Sequence, residues 1–230
     1  MSRPPLGQHF LVSPMPARVL TDALKISSED TVVEVGPGKG ALTKFLVAQK
    51  PKKLILIEQD VLLAANLVHH YKENTSVKIL HGDVREVLKE LSLSENWKLA
   101  GNIPYYLTSN LLRIISNLSV LPSATALLVQ KEVAVRITAQ VPHMNKLAAH
   151  IGIWAESKML RDVPKELFKP QPKVTSSIIL LTTKKEQFPQ EERQYYAAFV
   201  NHLFKQPRKV IGIIQTYAFC DMVNRNVSRI

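Results

Sequence analysis

The chain carries a single cysteine, Cys220, among 230 residues, so it can form no intramolecular disulfide, and a reducing compartment is the simplest setting for it. No apolar run reaches the roughly 20 residues that a bilayer-spanning helix needs. The first residues, Met1-Ser2-Arg3-Pro4-Pro5-Leu6, lack the apolar core of a secretory signal. A cytoplasmic location with no membrane partner is the resulting expectation. Acids are also scarce: 19 Asp and Glu stand against 30 Lys and Arg, a net charge of +11. Such an excess suits a polyanionic partner, held through counterion release and long-range steering, but charge alone does not name one. The seven histidines show no metal-ligand spacing, and no metal is expected. Internal repeats and low-complexity tracts are absent as well.

What is present is a regular alternation. Thr31-Val32-Val33-Glu34-Val35, Lys53-Leu54-Ile55-Leu56-Ile57, Val77-Lys78-Ile79-Leu80, Trp97-Lys98-Leu99-Ala100 and Ala124 to Val129 read as strands. Helical patterns separate them, for example Ala41, Leu42, Phe45 and Leu46 on one face, then Leu62 to Tyr71, Val84 to Leu91 and Leu107 to Leu118. Strand–helix alternation of this kind gives an α/β fold with a mostly parallel, doubly wound sheet. Ile151 to Trp154 and Val174 to Leu181 read as further strands, with a proline-stiffened basic loop, Pro164 to Lys173, between them. From Pro189 the pattern turns helical, with a second helix from about Pro207. The expected division is residues 1–185 as the α/β domain and 186–230 as a small helical domain that contacts a polyanion.

Four strand ends carry chemistry. Val35-Gly36-Pro37-Gly38-Lys39-Gly40-Ala41 places a glycine turn between a strand and a helix, where backbone can approach a ligand without a Cβ in the way. Gly36, Gly38 and Ala41 also satisfy the dinucleotide pattern, so the turn by itself does not separate NAD from another adenosine-bearing cofactor. Glu58 closes the second strand, 22 positions after Gly36, a spacing that suits a carboxylate accepting ribose hydroxyls. Asp83, closing the third, is placed to accept from an exocyclic adenine amine. A sulfonium would gain from these carboxylates and a pyrophosphate would prefer cations; Lys39 in the turn leaves the choice open. The fourth strand ends in Gly101-Asn102-Ile103-Pro104-Tyr105-Tyr106, where an amide, a fixed backbone and a flat ring can hold a planar base with an amine.

Taken with Gly36-Pro37-Gly38-Lys39-Gly40, Asn102-Ile103-Pro104-Tyr105 and Phe168-x-Pro170-x-Pro172-Lys173-Val174, the chain resembles the ribosomal RNA adenine dimethyltransferases. These comprise the KsgA-type small-subunit enzymes and the related Erm methylases. Gly7-Gln8-His9-Phe10-Leu11, Gly82-Asp83, Gln130-Lys131-Glu132-Val133-Ala134-x-Arg136 and Phe204-x-Gln206-x-Arg208-Lys209 extend the likeness from about Gly7 to about Ile214. The Gln130 helix and the Phe168 loop resemble the small-subunit branch more than the Erm branch. His9 stands where the family usually has Asn, and Tyr106 where Asn often follows the tetrapeptide.

The resemblance implies a Rossmann-like class I methyltransferase with a small C-terminal helical domain, expected here to be shortened. It implies S-adenosylmethionine as methyl donor and S-adenosylhomocysteine as product, with His9, Leu11, Gly36, Gly38, Glu58, Asp83 and Asn102 touching the cofactor. The implied reaction is dimethylation of N6 on two adjacent adenosines in a loop near the 3′ end of 16S ribosomal RNA, within a small-subunit assembly particle. A monomer is expected. Erm-type modification of 23S RNA and a non-catalytic RNA-binding assembly or transcription factor are the alternatives.

The N6 amine is a poor nucleophile because its lone pair is delocalised into the ring. The Asn102 carbonyl and a backbone carbonyl at Ile103 or Pro104 can accept its protons and direct the lone pair at the methyl carbon, which is catalysis by positioning. Stacking on Tyr105 contributes roughly 1–3 kcal/mol. Phe168 either stacks on the base's other face or plugs the core under its loop, and the sequence leaves both readings level. The target base must leave its stack to enter such a pocket. Arg136, Lys165, Lys169, Lys173, Lys205, Arg208 and Lys209 are the candidate phosphate contacts.

Overall fold

Thr31 to Val35 and Lys53 to Glu58 are near-continuous apolar runs, the pattern of strands covered on both faces, and they lie side by side in a seven-stranded sheet. The structure, a computed structural model, describes residues 9–205. Its first half contains β1 (Phe10–Leu11), α1 (Pro14–Leu24), β2 (Thr31–Val35), α2 (Thr43–Ala48), β3 (Lys53–Glu58), α3 (Val61–His70), β4 (Val77–His81) and α4 (Val84–Glu90). The second half contains β5 (Trp97–Asn102), α5 (Thr108–Ser116), β6 (Ala124–Gln130), α6 (Lys131–Ile137), α7 (Lys146–Gly152), β7 (Ala155–Val163), β8 (Phe168–Lys169), β9 (Ser176–Thr183) and α8 (Gln190–Leu203).

The sheet order is β4-β3-β2-β5-β6-β9-β7, parallel from β4 through β6, with β9 antiparallel to both of its neighbours. Successive side chains on a strand point to opposite faces, and two cores result. Val33, Val35, Ile55, Ile57 and Leu99 pack with Leu88 of α4, Leu111 and Ile115 of α5 and Ile151 of α7. Val32, Leu54, Leu56 and Ala100 pack on the other side with Leu20 and Leu24 of α1, Leu46 of α2 and Leu67 of α3. None of the described helices is long and apolar enough to cross a membrane.

Two expectations are corrected here. Ile151 to Trp154 is not a strand: it is the end of α7 and the turn after it, and the strand begins at Ala155. Asn145 starts that helix by accepting from the N–H groups of Leu147 and Ala148. A four-residue apolar run cannot by itself distinguish a helix end from a strand. The Pro-rich residues 2–16, whose Pro4, Pro5, Pro14 and Pro16 predict irregular chain, include Phe10–Leu11 as β1, which pairs antiparallel with β8 of the basic loop, Phe10 opposite Lys169 and Leu11 opposite Phe168. This small second sheet carries the N-terminal segment across the ends of the larger one.

The expected boundary at residue 185 falls in the link between β9 and α8. Helix α8 is fastened to the α/β body by Arg193, which is almost fully buried. Its Nε donates to the Ser116 carbonyl at 3.0 Å, Nη1 to Phe188 at 2.6 Å, and Nη2 to Leu118. Gln190 Nε2 donates to the Asn117 carbonyl between them. The carbonyls at a helix C-terminus lack intrahelical donors and favour a cation nearby; α8 thus satisfies the end of α5. Phe188, Tyr196 and the buried Val200 add apolar contact. The second helix expected from Pro207 lies outside the described residues. Arg193→Met keeps the aliphatic stem but strands three carbonyls, each worth about 1 kcal/mol or more when left unpaired. A loss of about 3 kcal/mol in chemical denaturation is expected, and a wild-type midpoint would contradict the role given to Arg193.

Candidate functional site

The chain runs outward from β2 to β3 and β4, then returns to place β5 on the other side of β2. Ligands bind at the carboxyl ends of strands where the order reverses, and the reversal here brings Val35 beside Gly101. A cavity of about 340 Å³ opens at that point, walled by the glycine turn, Glu58 and the Asn102–Tyr105 stretch. Gly101 lets the two strand ends meet: a Cβ there would stand 2.9 Å from Ile103 Cγ2 and 3.0 Å from the Val35 carbonyl oxygen.

The glycine turn is fixed by acid, not offered to a phosphate. Gly38 takes a φ of 57°, the left-handed region that glycine tolerates best, and its N–H donates to Glu58 Oε2 at 2.9 Å. Glu58 Oε1 accepts from the Asp60 N–H at 2.9 Å, so both oxygens of this buried carboxylate are held by backbone while it lines the cavity. The Phe10 ring covers the turn; a Cβ on Gly38 would lie 3.0 Å from its Cε1, and Lys39 Nζ sits 4.9 Å from the ring centre.

The opposite wall is organised by the N-terminal strand. Asn102 Nδ2 donates to the His9 carbonyl at 3.1 Å, which leaves Oδ1 as the end of the amide able to accept a proton. His9 Nδ1 lies 2.8 Å from the Pro170 carbonyl; a carbonyl only accepts, so that nitrogen carries the hydrogen. The His9 and Tyr105 rings are 5.8 Å apart and tilted by 31°. Tyr105 is pinned at its far end by a 2.6 Å hydroxyl–hydroxyl bond to Ser176, and burial pushes its phenol up, keeping it neutral. Tyr106, one residue on, is exposed.

His9, Leu11, Gly36, Gly38, Glu58 and Asn102, expected at a cofactor, therefore converge on one cavity with Ile103, Pro104 and Tyr105. Asp83 does not join its wall, which takes Gly82 and Val84 instead. The Asp83 carboxylate caps α4 through the Arg85 N–H and is gripped by the Arg85 guanidinium, which together hold its pKa below the ordinary value. Phe168, one of two level readings in sequence, is 3% exposed and packed in the core beside Leu11, so its ring offers no free face. Lys165, Lys169 and Lys173 are exposed on the loop that β1 pairs with, at the edge of the site. Arg136 on α6 and Lys205 after α8 are exposed on elements that do not line the cavity. Arg208 and Lys209, like Gly7 and Gln8, lie outside the described residues.

Sequence reasoning passed over Glu34 and Ser176. Glu34 is 1% exposed and lines the cavity, and its Oε2 and the Thr43 hydroxyl are both buried without a hydrogen-bond partner. Burial pushes its carboxyl up to about 8; the nearby Thr43 hydroxyl, not placed to form a proper hydrogen bond with it, tempers that shift only in part, and the charge of Glu58 adds to it. The signal was available: one acid in the apolar run of β2 has no reason to be there for packing. Ser176 had none, since 71 positions separate it from Tyr105.

Sheet order, switch-point cavity and glycine turn together define a Rossmann-like methyltransferase. The 23S rRNA methyltransferase ErmE superposes with a TM-score of 0.75 at 24% identity, over 90% of this chain and 82% of that one. A dimethyladenosine transferase from Plasmodium falciparum gives 0.69 at 27% identity, over 81% of this chain and 66% of that one. The profile of the ribosomal RNA adenine dimethylase family matches residues 1–217, and the chain belongs to that family. The ribosomal RNA small subunit methyltransferase A of Maridesulfovibrio salexigens is 35% identical over 227 residues, covering 95% of this chain and 82% of the relative. The protein of the same name from Hydrogenobaculum sp. is 35% identical over 205 residues, covering 89% and 79%.

Methyltransferases of this family and fold use S-adenosylmethionine, and the residues present fit it. The turn's Gly38 N–H is already spent on a carboxylate, which disfavours a pyrophosphate, and the wall presents the carboxyls of Glu58 and Glu34 to a cationic ligand. Gly101→Ala is expected to spread the β2 and β5 ends and cost about 2 kcal/mol, as overpacking against backbone does. An unchanged denaturation midpoint would mean the strand ends tolerate the extra carbon.

Proposed function

We propose that this chain transfers methyl groups from S-adenosylmethionine to the N6 amines of two adjacent adenosines in a loop near the 3′ end of small-subunit ribosomal RNA, within an assembling particle. The observation that carries the reading is the Asn102 amide, whose Nδ2 is committed to His9 so that Oδ1 remains to accept from an amine in the cavity. The names of the 35% identical relatives favour small-subunit over large-subunit RNA.

In this reading the roles divide along the cavity. Glu58 holds the ribose hydroxyls with the lone pairs its two backbone bonds leave over, while Gly36, Gly38, His9 and Leu11 shape the rest of the cofactor's seat. Bound there, S-adenosylmethionine supplies an electrophilic methyl carbon. Asn102 Oδ1 and the carbonyl of Ile103 or Pro104 accept the two amine protons and turn the nitrogen lone pair towards that carbon. Tyr105, held upright by Ser176, gives the adenine a flat support. No side-chain base is required, because the nitrogen becomes acidic once methylated. Lys165, Lys169 and Lys173 are the phosphate contacts nearest the entrance, with Arg136, Lys205, Arg208 and Lys209 gripping RNA further out.

Labelled methyl transfer to small-subunit particles from a methylation-deficient strain, followed by mass spectrometry of the RNA, tests this directly. Dimethyladenosine at two adjacent positions is expected, and label in large-subunit RNA alone would move the chain to the Erm activity. Asn102→Ala should lower the rate at least about 100-fold, the scale on which a positioned hydrogen-bonding group acts, with RNA binding retained. Tyr105→Ala should cost about 10- to 100-fold in kcat/KM through lost stacking, and Tyr105→Phe only a few-fold. Equal losses for both tyrosine variants would show that the hydroxyl, not the ring face, matters.

A further inference from the structure

We propose that Glu34 reads the charge on the cofactor's sulfur: it is ionised when the cationic methyl donor fills the cavity and protonated when the cavity is empty or holds the thioether product, so that binding of the donor releases a proton. The inference rests on the cofactor assignment of the previous subsection and adds to it a residue that discriminates donor from product.

The geometry carries it. Glu34 projects from β2 into the cavity wall, and its Oε2 is a fully buried oxygen with no hydrogen-bond partner. Thr43 on α2, whose hydroxyl is similarly orphaned, faces it. The titratable groups that face it are Glu58 from β3 and Tyr71 at the end of α3, whose phenol burial and the charge of Glu34 both push up. Neither supplies a cation. The two buried acids of the wall, Glu34 and Glu58, are thus treated differently. Both Glu58 oxygens accept from backbone N–H groups, whereas Glu34 has only the Thr43 hydroxyl near it and bears most of the desolvation cost of a buried carboxylate.

Burial holds the Glu34 carboxyl up to about 8 in the empty site, so at neutral pH it is mostly protonated. A fixed positive charge in the same cavity offsets the desolvation and draws the proton off to solvent. S-adenosylmethionine and S-adenosylhomocysteine share their ribose, adenine and amino-acid groups and differ by one methyl and one charge at sulfur. Their difference therefore cancels the protein titrations that both ligands share, and the Glu34→Gln variant separates Glu34 from the titration of the ligands' own amino group. The sign follows from the raised pKa: below about 8 each rise in pH strengthens donor binding relative to product, by up to about tenfold per unit. Above it the carboxylate is already ionised and the dependence vanishes. After transfer the carboxyl regains its proton, and the Glu34 contribution to binding favours the donor over the product.

The test is calorimetry of the full-length protein with each ligand at pH 7, in phosphate and in Tris, whose ionisation enthalpies differ. S-adenosylmethionine should release close to one proton more than S-adenosylhomocysteine, and the difference should disappear by pH 9. Glu34→Gln should abolish both the extra proton and the pH dependence of the donor-to-product affinity ratio. Equal proton release for the two ligands in the wild-type protein would overturn the proposal without reference to any variant, as would an undiminished difference in Glu34→Gln. Failure of either ligand to bind would instead bring down the cofactor assignment, and this inference with it.

Discussion

The hydrogen bond from Asn102 Nδ2 to the carbonyl of His9 joins residues 93 positions apart and ties the end of β5 to the N-terminal strand. An asparagine amide is nearly symmetric in shape, and its orientation is set by whichever neighbour takes its donor. Here the neighbour is a backbone carbonyl, so the choice is not subject to side-chain rotation. His9 is itself held twice, through the Pro170 carbonyl at its ring and through the pairing of β1 with β8 next door. The acceptor on which the proposed chemistry turns is thus aimed by the chain's N-terminal segment and the basic loop together. That explains the burial of Phe168: with Leu11 opposite it, the ring anchors the small sheet that keeps the strap in place.

Much of the fold was legible because its strands are apolar and its punctuation is strong. Thr31 to Val35 was bounded to the residue, and Glu58 was placed correctly at a strand end because an acid terminating a buried run must face something polar. The misses have local causes. Ile151 to Trp154 is apolar whether it ends a helix or forms a strand, and only the Asn145 cap distinguishes the two. Two-residue strands such as β1 and β8 are too short to show a period. Asp83 has both the right type and the right strand end, yet an arginine two positions on claims its carboxylate, a local pairing that spacing rules do not weigh.

The site's polar contacts were less legible than its position. Glycine turn, Glu58 and Asn102 mark the switch point in sequence, but the partners that fix them are distant in the chain: Gly38 with Glu58, Asn102 with His9, Tyr105 with Ser176. Long-range hydrogen bonds leave no periodic trace. They nonetheless resolve an ambiguity that the motif could not, since a turn whose amide already binds a carboxylate is a poor cradle for pyrophosphate.

A protein of net charge +11 that lines its central cavity with Glu34, Glu58 and Asp60 has separated its charges by depth. Surface lysines act across water, where attraction decays within a Debye length of about 8 Å at physiological salt, so they can draw in a polyanion without neutralising an acid buried behind the sheet ends. Glu34 shows the consequence: despite the basic excess, no cation offsets it among the described residues, and its carboxyl stays protonated to about 8. The same separation suits a reaction between a cation and a base carried on a polyanion. Each reactant meets the opposite sign of charge in its own part of the site, and the neutral Asn102–Tyr105 stretch lies where the two must come together.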